Sequence, residues 1–383
     1  MSSLLRDRPA STAAMLGAFG DEALLRAALA FEAALSRAEA DERLIPESAA
    51  ALIIETCNSA PFDVAELAAD SAFAGTLAIA LVRRLRAAVG ARDASAAALV
   101  HLGATSQDLA DSALMLQAKA GAQLIVAEGR ALAQGLEGLS QAYAGTPALG
   151  RTLLQPALPI TFGLKAVNWL LGIDAGLRRF ERECDTALML QLGGATGSLQ
   201  GLSFAVVERV AAQLSLAVPT AAWFARRDGI AGLAASLAIL TGAAGKIARD
   251  LSLLAQGEVA EAFEPRIEGR GGSSAMAHKR NPTGCQVALS AALRAPGLAA
   301  SILAGLPQEH ERGVGGWQAE APSLAALFEL AHGALAAMRE VIDGLEIDTT
   351  AMHRNLQAAD VGEDTGHCAA LVRRALDRYR AGH

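Results

Sequence analysis

Apolar residues recur at helical spacing along most of the chain, and stretches of this pattern are separated by short polar or glycine-containing connections. The early part predicts short amphipathic helices, among them residues 21–41, which end before Ile45-Pro46, and residues 71–89, which end at Gly90. No stretch shows the clean alternation of apolar and polar positions that is typical of a half-buried strand. The pattern therefore predicts an all-α protein.

The middle of the chain predicts longer helices, at about residues 108–143, 156–189, 198–216, 229–263, 282–303 and 322–341. Thr105 and Asp108 have the spacing of a helix cap, and Pro156 suits a first helical turn. Several of these segments are apolar on more than one face, and such a helix is buried on all sides. We expect a long-helix bundle that associates with further copies of itself.

This organisation predicts three parts. Residues 1–100 form a small N-terminal helical domain, residues 101–345 form the central long-helix bundle, and residues 346–383 form a shortened C-terminal helical segment.

Composition favours a helical protein and argues against several classes of partner. Alanine and leucine dominate the apolar residues, and both favour helices. The net charge of −7, without a basic stripe, argues against nucleic acid. Apolar runs such as 232–245 are shorter than the roughly 20 residues of a membrane span. The start lacks a signal peptide, which predicts the cytoplasm.

Cysteine and histidine spacing predicts no metal site and no disulfide framework. The four cysteines are far apart without a Cys-x-x-Cys pair, and the seven histidines are scattered. We therefore expect no metal and no cofactor.

Four polar or glycine-rich segments carry the candidate chemistry: 101–108, 150–165, 191–198 and 271–282. Hydroxyls at a helix start, as at Thr105-Ser106, make a carboxylate site, although Thr105 alone is equally a plain cap. Arg151 and Gln155 frame a predicted helix start and either grip a planar acid or stand at the surface. The third segment lacks a Walker lysine, which argues against a nucleotide phosphate.

The order and separation of these segments resemble the fumarase/aspartase superfamily. Its signature Gly-Ser-Ser-x-Met-Pro-x-Lys-x-Asn-Pro is matched from Gly272 to Pro282 except at Ala277, where the superfamily has proline. Within it, the chain most resembles the class II 3-carboxy-cis,cis-muconate cycloisomerases. The segments that support this resemblance are residues 31–35, 44–46, 103–108, 151–155, Trp223 with Arg227-Asp228, and 316–320.

The resemblance implies a reaction and a set of site residues. It implies a homotetramer whose active sites are shared between subunits, a small tricarboxylate substrate, and proton transfer by Ser273 with Lys279 and Asn281 binding the carboxylate on which charge grows. The substrate-binding residues that it implies are His101, Thr105, Ser106, Arg151, Gln155, Thr196, Arg227, Ser274, Met276, His278 and Arg280. His278 and Arg280 are equally suited to face solvent.

Leu153 is the most informative departure from the wider superfamily. Fumarase-like and adenylosuccinate-lyase-like members have a histidine there that assists the group that departs or arrives. An amine needs a proton from such an acid, whereas a carboxylate leaves as a stable anion. Leu153 therefore favours the opening and closing of a lactone, the cycloisomerase reaction of protocatechuate (β-ketoadipate) breakdown.

Two other functions remain as alternatives. An adenylosuccinate-type lyase shares the His-Lys-Arg-Asn-Pro run, and a non-catalytic oligomeric relative is supported by Ala277, which loosens the loop backbone. The C-terminal segment is short for the superfamily, and we expect that the contributions of that region are either missing or made by residues 360–367 in another way.

Overall fold

The computed structural model describes residues 4–272 and 279–382, and the fold in those ranges is mostly helical. In chain order the elements are α1 (Leu4–Asp7), a 3₁₀ turn (Arg8–Ala10), α2 (Ala13–Ala18), α3 (Asp21–Asp41), α4 (Glu47–Ser59), α5 (Val64–Ala74), α6 (Leu77–Gly90), α7 (Ala94–Ala97), α8 (Ser106–Ala142), β1 (Pro147–Thr152), β2 (Gln155–Thr161), α9 (Phe162–Ala187), α10 (Phe204–Leu214), α11 (Asp228–Leu254), β3 (Ala262–Phe263), α12 (Thr283–Ala304), α13 (Gly316–Asp343), β4 (Glu346–Ile347), α14 (Thr349–Ala359) and α15 (Cys368–Ala381).

Five long helices, α8, α9, α11, α12 and α13, pack against one another and form the bundle that the sequence predicted. Small residues let them approach closely. A Cβ added at Gly245 of α11 would lie 2.5 Å from the Cβ of Ala292 on α12, closer than real Cβ atoms come. The alanine and glycine content of the chain is therefore used for tight helix packing.

The bundle has two ends, which we name after α8. At the near end, where α8 begins, Arg227 before α11 pairs with Asp111 of α8 and Glu320 of α13. At the far end, where α8 finishes, Gly284 at the start of α12 lies against Val341 near the end of α13. The 37 residues of α8 span about 55 Å at 1.5 Å per residue, so the two ends are far apart.

A β-hairpin occupies the position where the sequence predicted a helix start. Strands β1 and β2 pair antiparallel, with Thr152 opposite Gln155, and α9 begins only at Phe162. The helix predicted from residue 156 is therefore wrong over its first turns. The prediction that the chain has no strands is also wrong, and Arg151 and Gln155 do not frame a helix start. These residues instead pair across a two-residue turn, and local helix propensity does not reveal such pairing between strands.

Several predicted helix boundaries also shift. The helix predicted at 71–89 is two helices, α5 and α6, separated at Gly75, whose φ of 78° ends α5. The helix predicted at 198–216 starts at Phe204, after glycines 197 and 201 in left-handed conformations. The helices predicted at 21–41 and 108–143 are confirmed as α3 and α8, the first with the same bounds.

Three helices are apolar over more residues than the sequence predicted. Within the described residues, α11, α12 and α13 reach mean hydropathies of 1.6, 1.6 and 1.3 over windows long enough to cross a membrane, so the argument from short apolar runs is wrong for them. Much of α11 and α13 is buried in the bundle, whereas α12 exposes an apolar face that includes Leu293 at 77% exposure. The absence of a membrane partner stays a prediction.

Candidate active site

Asp108 joins the first and third candidate segments at the near end. Its carboxylate accepts the backbone N–H of Thr105 (2.8 Å), which caps α8, and those of Gly193 (2.8 Å) and Gly194 (3.0 Å). Gly194 has a φ of 73°, and a Cβ there would lie 2.8 Å from the carbonyl oxygen of Gly103. Burial raises the pKa of Asp108 to about 7, while the three N–H donors favour the ionised form. The glycine turn is therefore fixed against the start of α8.

Arg312 completes a polar cluster at the start of α8. It comes from the connection between α12 and α13 and donates to the hydroxyls of Thr105 (2.7 Å) and Ser106 (3.2 Å). Its guanidinium lies 5.5 Å from the centre of the Phe224 ring. Within residues 4–272 and 279–382, Arg312 pairs with no carboxylate. The cluster thus holds a cation that forms no ion pair with a carboxylate of the described residues, beside the positive end of a helix.

His101 lies against a buried carboxylate near the same helix start. Its Nδ1 is 2.6 Å from Oε1 of Glu32 on α3, and the Glu32 side chain is fully buried. Burial lowers the pKa of His101, but the charge of Glu32 and its hydrogen bond outweigh that effect, and the pKa is raised. The sequence predicted His101 as a substrate contact without identifying Glu32 as its partner.

Arg227 occupies a different environment from the one that the sequence predicted. Its side chain is buried and donates to both oxygens of Asp111 (2.7 and 2.9 Å) and to Glu320 (2.6 Å). It also lies 4.8 Å from the centre of the Trp223 ring. Burial lowers its pKa, and the two carboxylates more than reverse this, so the pKa is raised. The structure gives Arg227 two protein carboxylates as partners, and the cluster ties α8, α11 and α13 together. A substrate contact of Arg227 stays a prediction.

At the far end, Arg151 also pairs with a buried protein carboxylate. From β1 it donates to both oxygens of Glu261 (2.6 and 3.0 Å), whose side chain is buried, and Asn355 of α14 donates to the same carboxylate (2.7 Å). Gln155 is exposed on β2. Leu153 and Leu154 form the hairpin turn with φ of 53° and 63°, and their side chains are 96% and 74% exposed.

The described parts of the signature loop also lie at the far end. The N–H of Asn281 donates to the carbonyl of Gly271 (2.9 Å), which closes the base of the loop. Arg280 donates to Glu346 (2.9 Å) and to the carbonyl of Glu264, and lies over the Phe263 ring. Lys279 is exposed, and a cleft of about 170 Å³ is lined by it, Arg280 and Asn281 among others. The loop base is thus held while Lys279 faces outward.

Four of the predicted site residues lie outside the described ranges: Ser273, Ser274, Met276 and His278. Thr196 is exposed at the near end, with its hydroxyl 3.1 Å from that of Ser198.

The predicted residues, joined at the near end by Arg312, therefore form two sets at opposite ends of the bundle. The near-end set is His101, Thr105, Ser106 and Arg312, and the far-end set is Lys279 and Asn281 with the hairpin beside them. Arg312 was not predicted. It lies next to Glu309, His310 and Glu311, and such a run of charged residues predicts a solvent-exposed surface. Nothing in that run indicates a contact with Thr105.

Known proteins resemble this chain over most of its length. A family profile described as lyase matches residues 8–297. A 3-carboxy-cis,cis-muconate cycloisomerase of Bradyrhizobium diazoefficiens is 46% identical over 351 residues, which are 91% of this chain and 78% of the relative. A nitrosuccinate lyase of Streptomyces davaonensis is 41% identical over 375 residues, which are 95% of this chain and 79% of the relative.

A solved structure matches the fold and the sequence together. The crystal structure of 3-carboxy-cis,cis-muconate lactonizing enzyme from Pseudomonas putida has a TM-score of 0.88 and 39% identity, and the match covers 99% of this chain and 88% of that one. The resemblance that the signature loop indicated is therefore confirmed by independent comparisons. The chain belongs to this lyase family, within the fumarase/aspartase superfamily.

Proposed function

We propose that the protein is an enzyme that converts 3-carboxy-cis,cis-muconate reversibly to 4-carboxymuconolactone. One carboxylate oxygen adds to a carbon of a double bond, and a proton is delivered to the neighbouring carbon, so the reaction is an isomerisation that needs no co-reactant. The observation that carries the proposal is the 46% identity to a cycloisomerase over 91% of the chain. We place the enzyme in the cytoplasm.

The near-end set suits an anionic substrate. Arg312 supplies a cation without a carboxylate partner in the described residues, and the hydroxyls of Thr105 and Ser106 lie at the positive end of α8. His101 adds a second cation when it is protonated. A tricarboxylate carries three negative charges, which match this concentration of donors in a chain of net charge −7.

The far-end set supplies the proton transfer. A serine hydroxyl becomes a base only in a charged site from which water is excluded, and Lys279 in the same loop provides a positive charge for Ser273. Lys279 and Asn281 would bind the carboxylate on which negative charge develops in the transition state. Met276, His278, Ser274 and Arg280 stay candidate contacts of this loop.

The separation of the two sets supports an active site shared between subunits. A substrate of a few ångströms cannot reach from one end of α8 to the other, about 55 Å away for its 37 residues. An assembly that places the near end of one protomer against the far end of another brings the sets together. The exposed apolar side chains of Leu153 and Leu154 at the far end would be covered there, and a homotetramer provides such contacts for every protomer.

Subunit mixing tests this arrangement. Arg312→Ala disables the near-end set and Lys279→Ala disables the far-end set, so each variant alone should have little activity. In co-expressed mixed oligomers, about a quarter of the sites would combine an intact near end with an intact far end, and activity should return to about that fraction. The control is a mixture of Lys279→Ala with Asn281→Ala, both at the far end, which should recover nothing. Recovery in the control equal to that in the test pair would refute the sharing of sites.

The nature of the leaving group distinguishes this reaction from the elimination of an amine, but not from the elimination of another stable anion. Leu153 offers no proton to a departing amine, which disfavours an adenylosuccinate-type reaction. Nitrite, like a carboxylate, leaves as a stable anion. The 41% identity to a nitrosuccinate lyase over 95% of this chain therefore makes elimination from nitrosuccinate the second candidate function.

Substitution of Leu153 tests the leaving-group argument. Leu153→His should leave kcat for the muconate unchanged or lower, because a carboxylate has no use for an acid at that place. The measurement is kcat and KM for lactonisation across pH 6 to 8, with Leu154→His as the matched control in the same exposed turn. A gain of tenfold or more that is specific to Leu153→His would contradict the argument.

Parallel assays of one protein preparation test the proposed function. Loss of the conjugated diene absorbance with 3-carboxy-cis,cis-muconate supports lactonisation. Nitrite release from nitrosuccinate without diene loss supports the second candidate, and fumarate release from adenylosuccinate supports the amine lyase. No reaction with any of the three substrates supports a non-catalytic oligomer.

A further inference from the structure

The buried face of α3 carries a carboxylate that the reaction scheme does not use. Glu32, Ser36 and Glu39 follow one another at helical spacing, and all three side chains are fully buried. Among the described residues, the only hydrogen-bond partner of the Glu32 carboxylate is His101, at 2.6 Å from Oε1, because Oε2 has none. A buried carboxylate is costly unless a positive charge compensates it. The imidazole of His101 is the group placed to do so.

We propose that Glu32 is a positioning residue that keeps His101 doubly protonated, so that the ring adds a positive charge to the near-end set. The ring binds Glu32 through Nδ1, which directs Nε2 away from α3. The His101 side chain is 10% exposed, four residues before Thr105. The inference rests on the proposed function only in taking the bound anion to be a substrate carboxylate.

The other charged and titratable groups around this pair leave the assignment intact. Asp108 of α8 attracts a proton to His101, and Arg86 of α6, which donates to the carbonyl of Val100 (3.0 Å), opposes it. Burial and the charge of Glu32 raise the pKa of Glu39 to about 8. The same two causes raise the pKa of the Cys57 thiol of α4 to about 12. Both groups are therefore mainly neutral at pH 7, so neither adds a negative charge beside His101.

The consequence is a defined pH dependence of binding. The protonated ring attracts a carboxylate and the neutral ring does not, so affinity falls as the pH rises through the pKa of His101. Glu32→Gln removes the charge but keeps an oxygen able to accept from Nδ1–H. In that variant the loss of affinity should begin at a pH lower by about one unit or more. At pH 7.5 we expect KM to rise about tenfold while kcat changes little, because the ring binds substrate and takes no part in the proton transfer.

The test is the titration of His101, followed by NMR on the intact oligomer with ¹³C-labelled histidine and assigned with His101→Gln. The inference predicts that His101 titrates above a free histidine in the wild type, at lower pH in Glu32→Gln, and near the wild-type value in Glu32→Asp, which restores the charge. Glu39→Gln is the matched control on the same helix face and should leave the titration below pH 8 unchanged, because burial raises the pKa of Glu39 to about 8.

Each outcome bears on the inference separately from the proposed function. An unchanged His101 titration in Glu32→Gln overturns it, whatever the enzyme does with the muconate. If Glu32→Gln does not fold, the wild-type titration decides, since a His101 that loses its proton below the pH of free histidine overturns it as well. A wild type without turnover of the muconate, but with the predicted titrations, refutes the proposed substrate and retains the Glu32–His101 assignment.

Discussion

Ser273→Ala should lower kcat for lactonisation by about 10²–10⁴-fold, the range in which a positioned proton-transfer group contributes. The superfamily resemblance assigns the proton to this hydroxyl, and alanine leaves no group to carry it. The measurement is the steady-state rate of diene loss at saturating 3-carboxy-cis,cis-muconate, with the oligomeric state checked by size-exclusion chromatography. We expect the assembly to be intact, because the substitution removes a single hydroxyl.

The neighbouring hydroxyl provides the matched control. Ser274→Ala removes a predicted substrate contact, so it should raise KM and preserve most of kcat. A Ser273→Ala enzyme with kcat within a few-fold of the wild type would refute the proton-transfer assignment. A loss of kcat confined to Ser274→Ala would move that role to the second serine.

Arg227→Met should destabilise the fold by about 3–5 kcal/mol, because it leaves two buried carboxylates without their counter-charge. Asp111 and Glu320 are both buried, and Arg227 is the cation between them. The measurement is the denaturant midpoint at a fixed protein concentration, since unfolding of an oligomer depends on concentration.

Arg226→Met is the matched control one residue earlier. Arg226 pairs with Asp228 at the surface, where both side chains are more than half exposed, and such a pair contributes about 0–1 kcal/mol. Equal effects of the two substitutions would contradict a structural role for Arg227. Unchanged stability in Arg227→Met together with a large rise in KM would instead restore the substrate contact that the sequence predicted.

Long helices could be predicted because their signal is local. The helices at 21–41 and 108–143 have apolar periodicity over many turns, the second also has a cap at Thr105 and Asp108, and both are confirmed as α3 and α8. The β1–β2 hairpin was missed because its stability comes from pairing between residues 147–152 and 155–161, and its turn holds two leucines where glycine or asparagine would normally mark it.

The candidate site was predictable only in part for the same reason. Segment order and spacing identified the near-end hydroxyls and the signature loop. The partners of charged residues, such as Glu32 for His101 and Thr105 for Arg312, lie 69 and 207 positions away along the chain and carry no local signal. Arg227 shows this limit of sequence-based prediction most clearly. A sequence does not distinguish an arginine that binds a substrate from one that pairs with buried carboxylates.

Product analysis in deuterated water tests the central claim, that carboxylate addition and proton transfer convert a tricarboxylate diene to a lactone. The account predicts that ¹H NMR of 3-carboxy-cis,cis-muconate incubated with the protein will show 4-carboxymuconolactone with one solvent deuteron on the carbon next to the carbon that bonds oxygen. Unchanged muconate after prolonged incubation, while nitrosuccinate or adenylosuccinate is consumed by the same preparation, would contradict it.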